Sequence, residues 1–170
     1  MNILRYFIFL LYLIIAIRVN AADVEISGTQ ATREDLQDSS TLTISGTLDG
    51  DLNNIVRGYI AAGNEIDNAT VVVDSGGTIQ GQSNAIMGRE TDSLTVINSG
   101  TIEATSSKAI QLRDSQNATI TNKSGGTIFA NTNAIVQQSA GTEDAENTTI
   151  TNAGTISVSY THLRAHETVV

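Results

Sequence analysis

The chain has 170 residues, a net charge of −9, no Cys, no Pro, no Trp and only 4% aromatic residues. Without Cys it has no disulfide scaffold, no thiolate zinc site and no cysteine nucleophile. Its negative charge gives no grip on phosphate backbones, and so few rings build no stacking platform for bases, so no nucleic-acid partner is expected.

Residues 1–21 read as a signal peptide. Arg5 gives a short positive start, and Tyr6 to Ile17 is an apolar run of twelve. Val19-Asn20-Ala21 then offers small residues for cleavage after Ala21. Twelve helical residues span roughly 18 Å, too short for a ~30 Å hydrocarbon core, which argues against an anchor.

Residues 22–40 read as an N-terminal cap. Asp23 to Thr29 alternates like a strand, and Arg33 to Ser40 is polar and charged. A stacked-coil protein needs such a segment to cover the end of its core.

Residues 41–157 carry an internal repeat. Gly-Thr-Ile recurs at Gly77, Gly100, Gly126 and Gly154, with Gly46-Thr47-Leu48 as a close copy. The Ile-to-Ile steps are 23, 26 and 28 residues. An Ala-Ile pair follows most copies, at Ala85-Ile86, Ala109-Ile110 and Ala134-Ile135, with Asn54-Ile55 in that place in the first. A β-branched run such as Thr119-Ile120-Thr121-Asn122 precedes each copy. Three short Ile/Val/Thr-rich strands per period, parted by Gly, Ser and Asn turns, predict an all-β fold: a parallel β-helix (β-solenoid) of about five coils.

Strand alternation predicts three inward columns. They are Leu42, Val72, Val96, Ile120, Ile150; then Leu48, Ile79, Ile102, Ile128, Ile156; then Ile55, Ile86, Ile110, Ile135. Gly50, Gly81, Ala104 and Ala130 form a small-residue column on the same face as the second. Asp74, Asn98, Asn122 and Asn152 read as one polar turn column, because Asn and Asp suit turns and can stack.

The form Thr-Ile-Thr-Asn-x-Gly-Thr-Ile-x-Ala…Asn-Ala-Ile, together with a signal peptide and no Cys, resembles the passenger region of autotransporters, the type V secreted proteins of diderm bacteria. The resemblance covers roughly Thr41 to Ile156. It implies a right-handed parallel β-helix passenger exported through the periplasm to the cell surface or the medium. It also implies a partner within the same protein, a C-terminal β-barrel, and the 170 residues contain no ~10-residue alternating strands with aromatic girdles.

Residues 158–170 break the pattern and resemble the translation of a sequencing-library adapter, so they are set aside as an artefact. They hold both His residues, His162 and His166. A pair at that spacing needs a helix and a third ligand to bind a metal. Without the two ends, six basic and seventeen acidic residues leave a net charge of −11.

Chemistry is sparse. No His lies outside the tail, which excludes a Ser/His/Asp set for this segment. Asp49-Gly50-Asp51-Leu52-Asn53 opens like a calcium loop, but Ile60 stands where the bidentate Glu belongs. Glu143-Asp144-Ala145-Glu146 reads as a solvated charge run. Four Asn-x-Ser/Thr sequons, at Asn68, Asn117, Asn122 and Asn147, read as turn Asn followed by strand Thr or Ser. Thr-x-Thr pairs also resemble those of ice-binding solenoids, with Val71/Val73 and Ile97 reading as breaks in the array.

No catalytic, cofactor-binding or metal-binding residue is therefore assigned, and no cofactor or enzymatic activity is expected. The predicted role is a β-helical stalk, an adhesin-like module meeting a host-cell or matrix surface, or a glycan, through loops on one edge. Val56–Asn68 and Gln138–Asn147 are the long loops; Gly88–Ser93 and Arg113–Asn117 are the short ones. The rival reading is the N-terminal part of a β-helical polysaccharide lyase or hydrolase.

Overall fold

The computed structural model describes residues 23–50, 54–58, 66–139 and 146–159. The signal peptide, the adapter-like tail from residue 160 onward and the middles of both long loops lie outside the described residues.

Three parallel sheets wrap one core. The first contains β1 (Val24–Ile26), β4 (Thr41–Ile44), β8 (Thr70–Val73), β12 (Thr95–Asn98), β15 (Thr119–Asn122) and β18 (Thr149–Asn152), in that order. The second contains β2 (Thr29–Gln30), β5 (Thr47–Gly50), β9 (Thr78–Gly81), β13 (Thr101–Ala104), β16 (Thr127–Ala130) and β19 (Thr155–Val158). The third contains β3 (Glu34–Asp35), β6 (Asn54–Gly58), β10 (Asn84–Arg89), β14 (Lys108–Arg113) and β17 (Asn133–Gln138). Each strand pairs with its equivalent one coil away, which defines a parallel β-solenoid. Four regular turns run from β4 to β17, each with a strand in all three sheets. The segment read as a cap supplies β1, β2 and β3, a short coil stacked beneath the first regular one.

The repeat produces this path because its residues suit each place on it. In strands such as Thr95-Val96-Ile97-Asn98, alternate side chains are buried and half-buried. The second column stacks as expected, Leu48 on Ile79 on Ile102 on Ile128 on Ile156, and its first four members are fully buried. The small column is also in register, Gly50 on Gly81 on Ala104 on Ala130.

Three sequence assignments are corrected by the register. In the first column Val71, not Val72, lies between Leu42 and Val96. Thr70 sits on Thr41 and Thr95, so Val71 and Val73 point inward and are fully buried, while Val72 points outward. Three consecutive valines carry no contrast from which to read the phase.

In the polar column Val73, not Asp74, pairs with Asn98. Asp74 lies one residue beyond, exposed, in the turn Asp74-Ser75-Gly76-Gly77. Its carbonyl accepts the Gly77 N–H at 2.8 Å, and Gly76 takes φ +90°. The turn Lys123-Ser124-Gly125-Gly126 is built the same way, with Gly125 at φ +86°. Both are two residues longer than Ser99-Gly100, so aligning Asp74-Ser75 with Asn98-Ser99 shifts the frame.

In the third column Val56, not Ile55, lies beside Ile86, which in turn stacks on Ile110 and Ile135. Ile55 therefore falls level with Ala85, and Ile55-Val56 rather than Asn54-Ile55 replaces the Ala-Ile pair. The volume is balanced locally: a Cβ on Gly50 would come within 2.9 Å of Ile55 Cδ1. A large residue at 55 is accommodated by a small one at 50.

Candidate interaction surfaces

Every coil returns from the third sheet to the first around one corner. There Ser39, Asn68, Ser93, Asn117 and Asn147 all have left-handed φ, between 52° and 58°. Asn is the residue best suited to that conformation after Gly. The N–H of each of the first four donates to a carbonyl of the next coil, Ser39 to Asp67, Asn68 to Asp92, Ser93 to Gln116 and Asn117 to Glu146. All four stretches expected to be loops are partly strand, with Val56–Gly58 in β6 and Gln138 at the end of β17. Arg89 ends β10 and Arg113 ends β14, and Thr91–Asp92 (β11) pairs with Ile66–Asp67 (β7).

The long insertions, residues 59–65 and 140–145, both fall on this third-to-first connection. They lie outside the described residues, as do Asp51–Asn53 of the calcium-loop-like run, Glu143–Ala145 and both His residues. Asp49 is exposed on β5 and Glu146 is exposed before the corner. Among the described residues no group of three or more His, Cys, Asp or Glu is placed to hold a metal ion, and no helix is long and apolar enough to cross a membrane.

The sequons separate into two kinds. Asn68, Asn117 and Asn147 are exposed at the corner, but Asn122 is fully buried. Asn122 belongs to a ladder that is the main polar feature of the core. Asn98 Nδ2 donates to Asn122 Oδ1 at 2.8 Å, and Asn122 Nδ2 donates to Asn152 Oδ1 at 2.8 Å. Asn98 Oδ1 also accepts the Gly100 N–H, and Nδ2 of Asn98 and Asn122 reach the carbonyls of Thr127 and Thr155. Each buried amide thus closes its own turn and clamps the next, which is what an amide needs to be buried without penalty.

A second buried polar pair escapes a sequence reading. Thr91 Oγ1 donates to Ser115 Oγ at 3.0 Å, both buried, and Ser115 Oγ donates to the Arg113 carbonyl. Their only sequence signal is that Thr91 and Ser115 follow Arg89 and Arg113 by two residues. With both hydroxyls buried and no His beside them, this pair serves packing rather than nucleophilic chemistry.

The charged side chains concentrate on the third sheet and the corners. Arg57 makes a two-pronged pair with Asp35, Nε to Oδ1 at 2.9 Å and Nη2 to Oδ2 at 3.0 Å. Arg89 meets Glu90 at 3.1 Å and Arg113 meets Asp114 at 3.8 Å. The second sheet presents a Thr ladder, Thr47 on Thr78 on Thr101 on Thr127 on Thr155. Beside it runs a mixed column of Asp49, Gln80, Glu103, Phe129 and Ser157. Asp49 and Glu103 are the carboxylates of that face, one neutral rung apart.

The first sheet differs. Its outer face carries Thr41, Thr70, Thr95, Thr119 and Thr149 in one unbroken column. Thr43, Val72, Ile97, Thr121 and Thr151 form the other. No charge interrupts either above the lowest coil, where Glu25 lies below Thr43 and Asp23 Oδ1 accepts the Thr41 N–H at 2.8 Å. Val71 and Val73, expected to break the Thr-x-Thr array, face the core and do not.

The chain matches no protein-family model, and it matches no curated protein and no solved structure.

Proposed function

We propose that this chain is a passenger segment of an autotransporter-like secreted protein, a rigid stalk that displays loops away from a cell surface. The observation that supports it most directly is the common corner. Both long insertions join the third sheet to the first, where five coils turn through one left-handed residue each. Insertions gathered on one edge of a solenoid are commonly its binding face. The columns commit almost every inward side chain to packing and almost every turn to Gly, Ser or Asn. Binding is thereby left to the corner and the outer faces. Export through a signal at residues 1–21 is part of the same reading, and so is the absence of catalysis by this segment. On the outer face of the second sheet, Asp49 and Glu103 have no Lys, Arg or His beside them, so no observation favours the polysaccharide-cleaving alternative.

The test is a binding screen on host cells, matrix proteins and glycan arrays. The purified chain is compared with a copy in which residues 138–147 are shortened to the length of the 113–117 turn. Binding lost on shortening, with an unchanged urea midpoint, is the expected result. Cleavage of any polysaccharide by the intact chain, or binding indifferent to the loop, overturns the reading.

A further inference from the structure

We infer that the outer face of the first sheet is a lattice-matching surface whose partner is a crystalline, uncharged array of hydrogen-bonding units, and that ice is that partner.

The observations are three. First, the face is periodic in both directions. Strand-to-strand pairing repeats it every ~4.8 Å, and successive outward residues along a strand stand roughly 6.7 Å apart. Pairing runs from β4 to β18 without a slipped register. Second, the face is neutral in a chain of net charge −9: its ten outward positions from Thr41 to Thr151 are Thr, Val or Ile. Third, among the described residues none of its eight Thr hydroxyls is used in a hydrogen bond within the protein. The contrast is with Thr105 and Thr132, whose hydroxyls are turned onto the carbonyls of Gly81 and Ser107.

The partner follows by chemistry. A polyanion is repelled by the net charge and meets no cation on this sheet. A sugar face or a protein hot spot calls for Trp, Tyr or Arg anchors, and none is present on the face. Five strands of four residues cover only about 350 Å² at those spacings, well below the roughly 800 Å² per partner of a stable protein interface. What the face offers is repetition. Each Thr presents one hydroxyl and one methyl group at a fixed place, and the two repeats lie close to oxygen–oxygen spacings on the prism faces of hexagonal ice. One such contact is weak, but the columns deliver them together, as linked sites do. Val72 and Ile97 keep the methyl half of the Thr shape, so they thin the hydroxyl lattice without breaking its spacing. The second sheet carries a comparable Thr ladder, but its neighbouring column is charged and uneven, so it serves as the control face.

The experiment uses the intact chain. Freezing hysteresis, inhibition of ice recrystallisation and uptake into a slowly growing ice hemisphere are measured together. The expected result is measurable activity in all three. Thr95→Lys with Thr119→Lys should reduce recrystallisation inhibition at least tenfold, whereas Thr101→Lys with Thr127→Lys on the second sheet should leave it unchanged. Val72→Thr with Ile97→Thr should raise it. Urea midpoints of both Lys pairs show that the fold is retained. An intact chain excluded from ice, or equal losses from the two Lys pairs, overturns the inference. Shortening residues 138–147 changes none of the ten outward positions, so ice activity should stay intact even where adhesion is abolished.

Discussion

The last position of the first-sheet strand is filled in two ways. In the lower coils it holds Ile44 and Val73; in the upper coils it holds Asn98, Asn122 and Asn152. Ile44, Val73, Asn98 and Asn122 are all fully buried and stack in one unbroken register. One column can thus be dry or hydrogen-bonded, provided that it is consistent within a run. The change comes once, where Val73 lies beneath Asn98. There Asn98 is satisfied without a lower partner, since its Oδ1 takes the Gly100 N–H and its Nδ2 points upward. The hydrophobic half depends on shape alone; the amide half depends on each member having the next.

Substitutions that break this division should rank accordingly. Ile102→Asp, midway between Ile79 and Ile128, puts a lone charge in the dry part of the core. It should cost several kcal/mol and unfold neighbouring coils, read as a lost or greatly lowered urea midpoint. Asn122→Ala removes the acceptor of Asn98 and the donor to Asn152 at once. About 1–3 kcal/mol is expected, since the buried Asn98 amide loses its acceptor while the exposed Asn152 is left to water. Val73→Asn extends the ladder downward by one rung, and its amide can bond Asn98 above; a loss of roughly 1 kcal/mol or less in the same melts would show that the column accepts either filling. Asp74→Asn should change stability by less than ~0.5 kcal/mol, because Asp74 is exposed and outside the column. A large effect there would restore the alignment that the register overturns.

These cases also show what the sequence could reveal. Wherever Thr alternates with Ile, as in Thr119-Ile120-Thr121, the inward side is legible, because polar and apolar neighbours mark opposite faces. Gly-Thr-Ile is as clear, and the second column stands as read from it. Legibility fails where neighbours are alike. Val71-Val72-Val73 offers no phase, and Ile55-Val56 offers two buried aliphatic residues in succession. It fails again where a turn changes length, since Asp74-Ser75 resembles Asn98-Ser99 letter for letter but sits one residue later. The outer Thr lattice was hidden by the same ambiguity, because one misplaced valine makes a continuous column look broken. The Thr91–Ser115 pair was invisible because pairing of two unremarkable hydroxyls is fixed only by which coils are adjacent.

The Gly of Gly-Thr-Ile has a consequence for how such a chain can change in length. At Gly100 and at Gly154 the carbonyl of the Gly one coil below occupies the space that a Cβ would need. Gly77 in turn lies against the Ile44 carbonyl. These turns therefore stack backbone on backbone, and the side chains beside the Gly follow the filling of the column, Val73 at Gly100 and Asn98 and Asn122 amides at Gly126 and Gly154. Two coils of the same filling, aliphatic or amide, present nearly interchangeable upper and lower surfaces. Duplication or deletion of a whole coil then recreates a junction already in use, so unequal recombination between repeats can lengthen or shorten the gene by whole coils and leave a folded product.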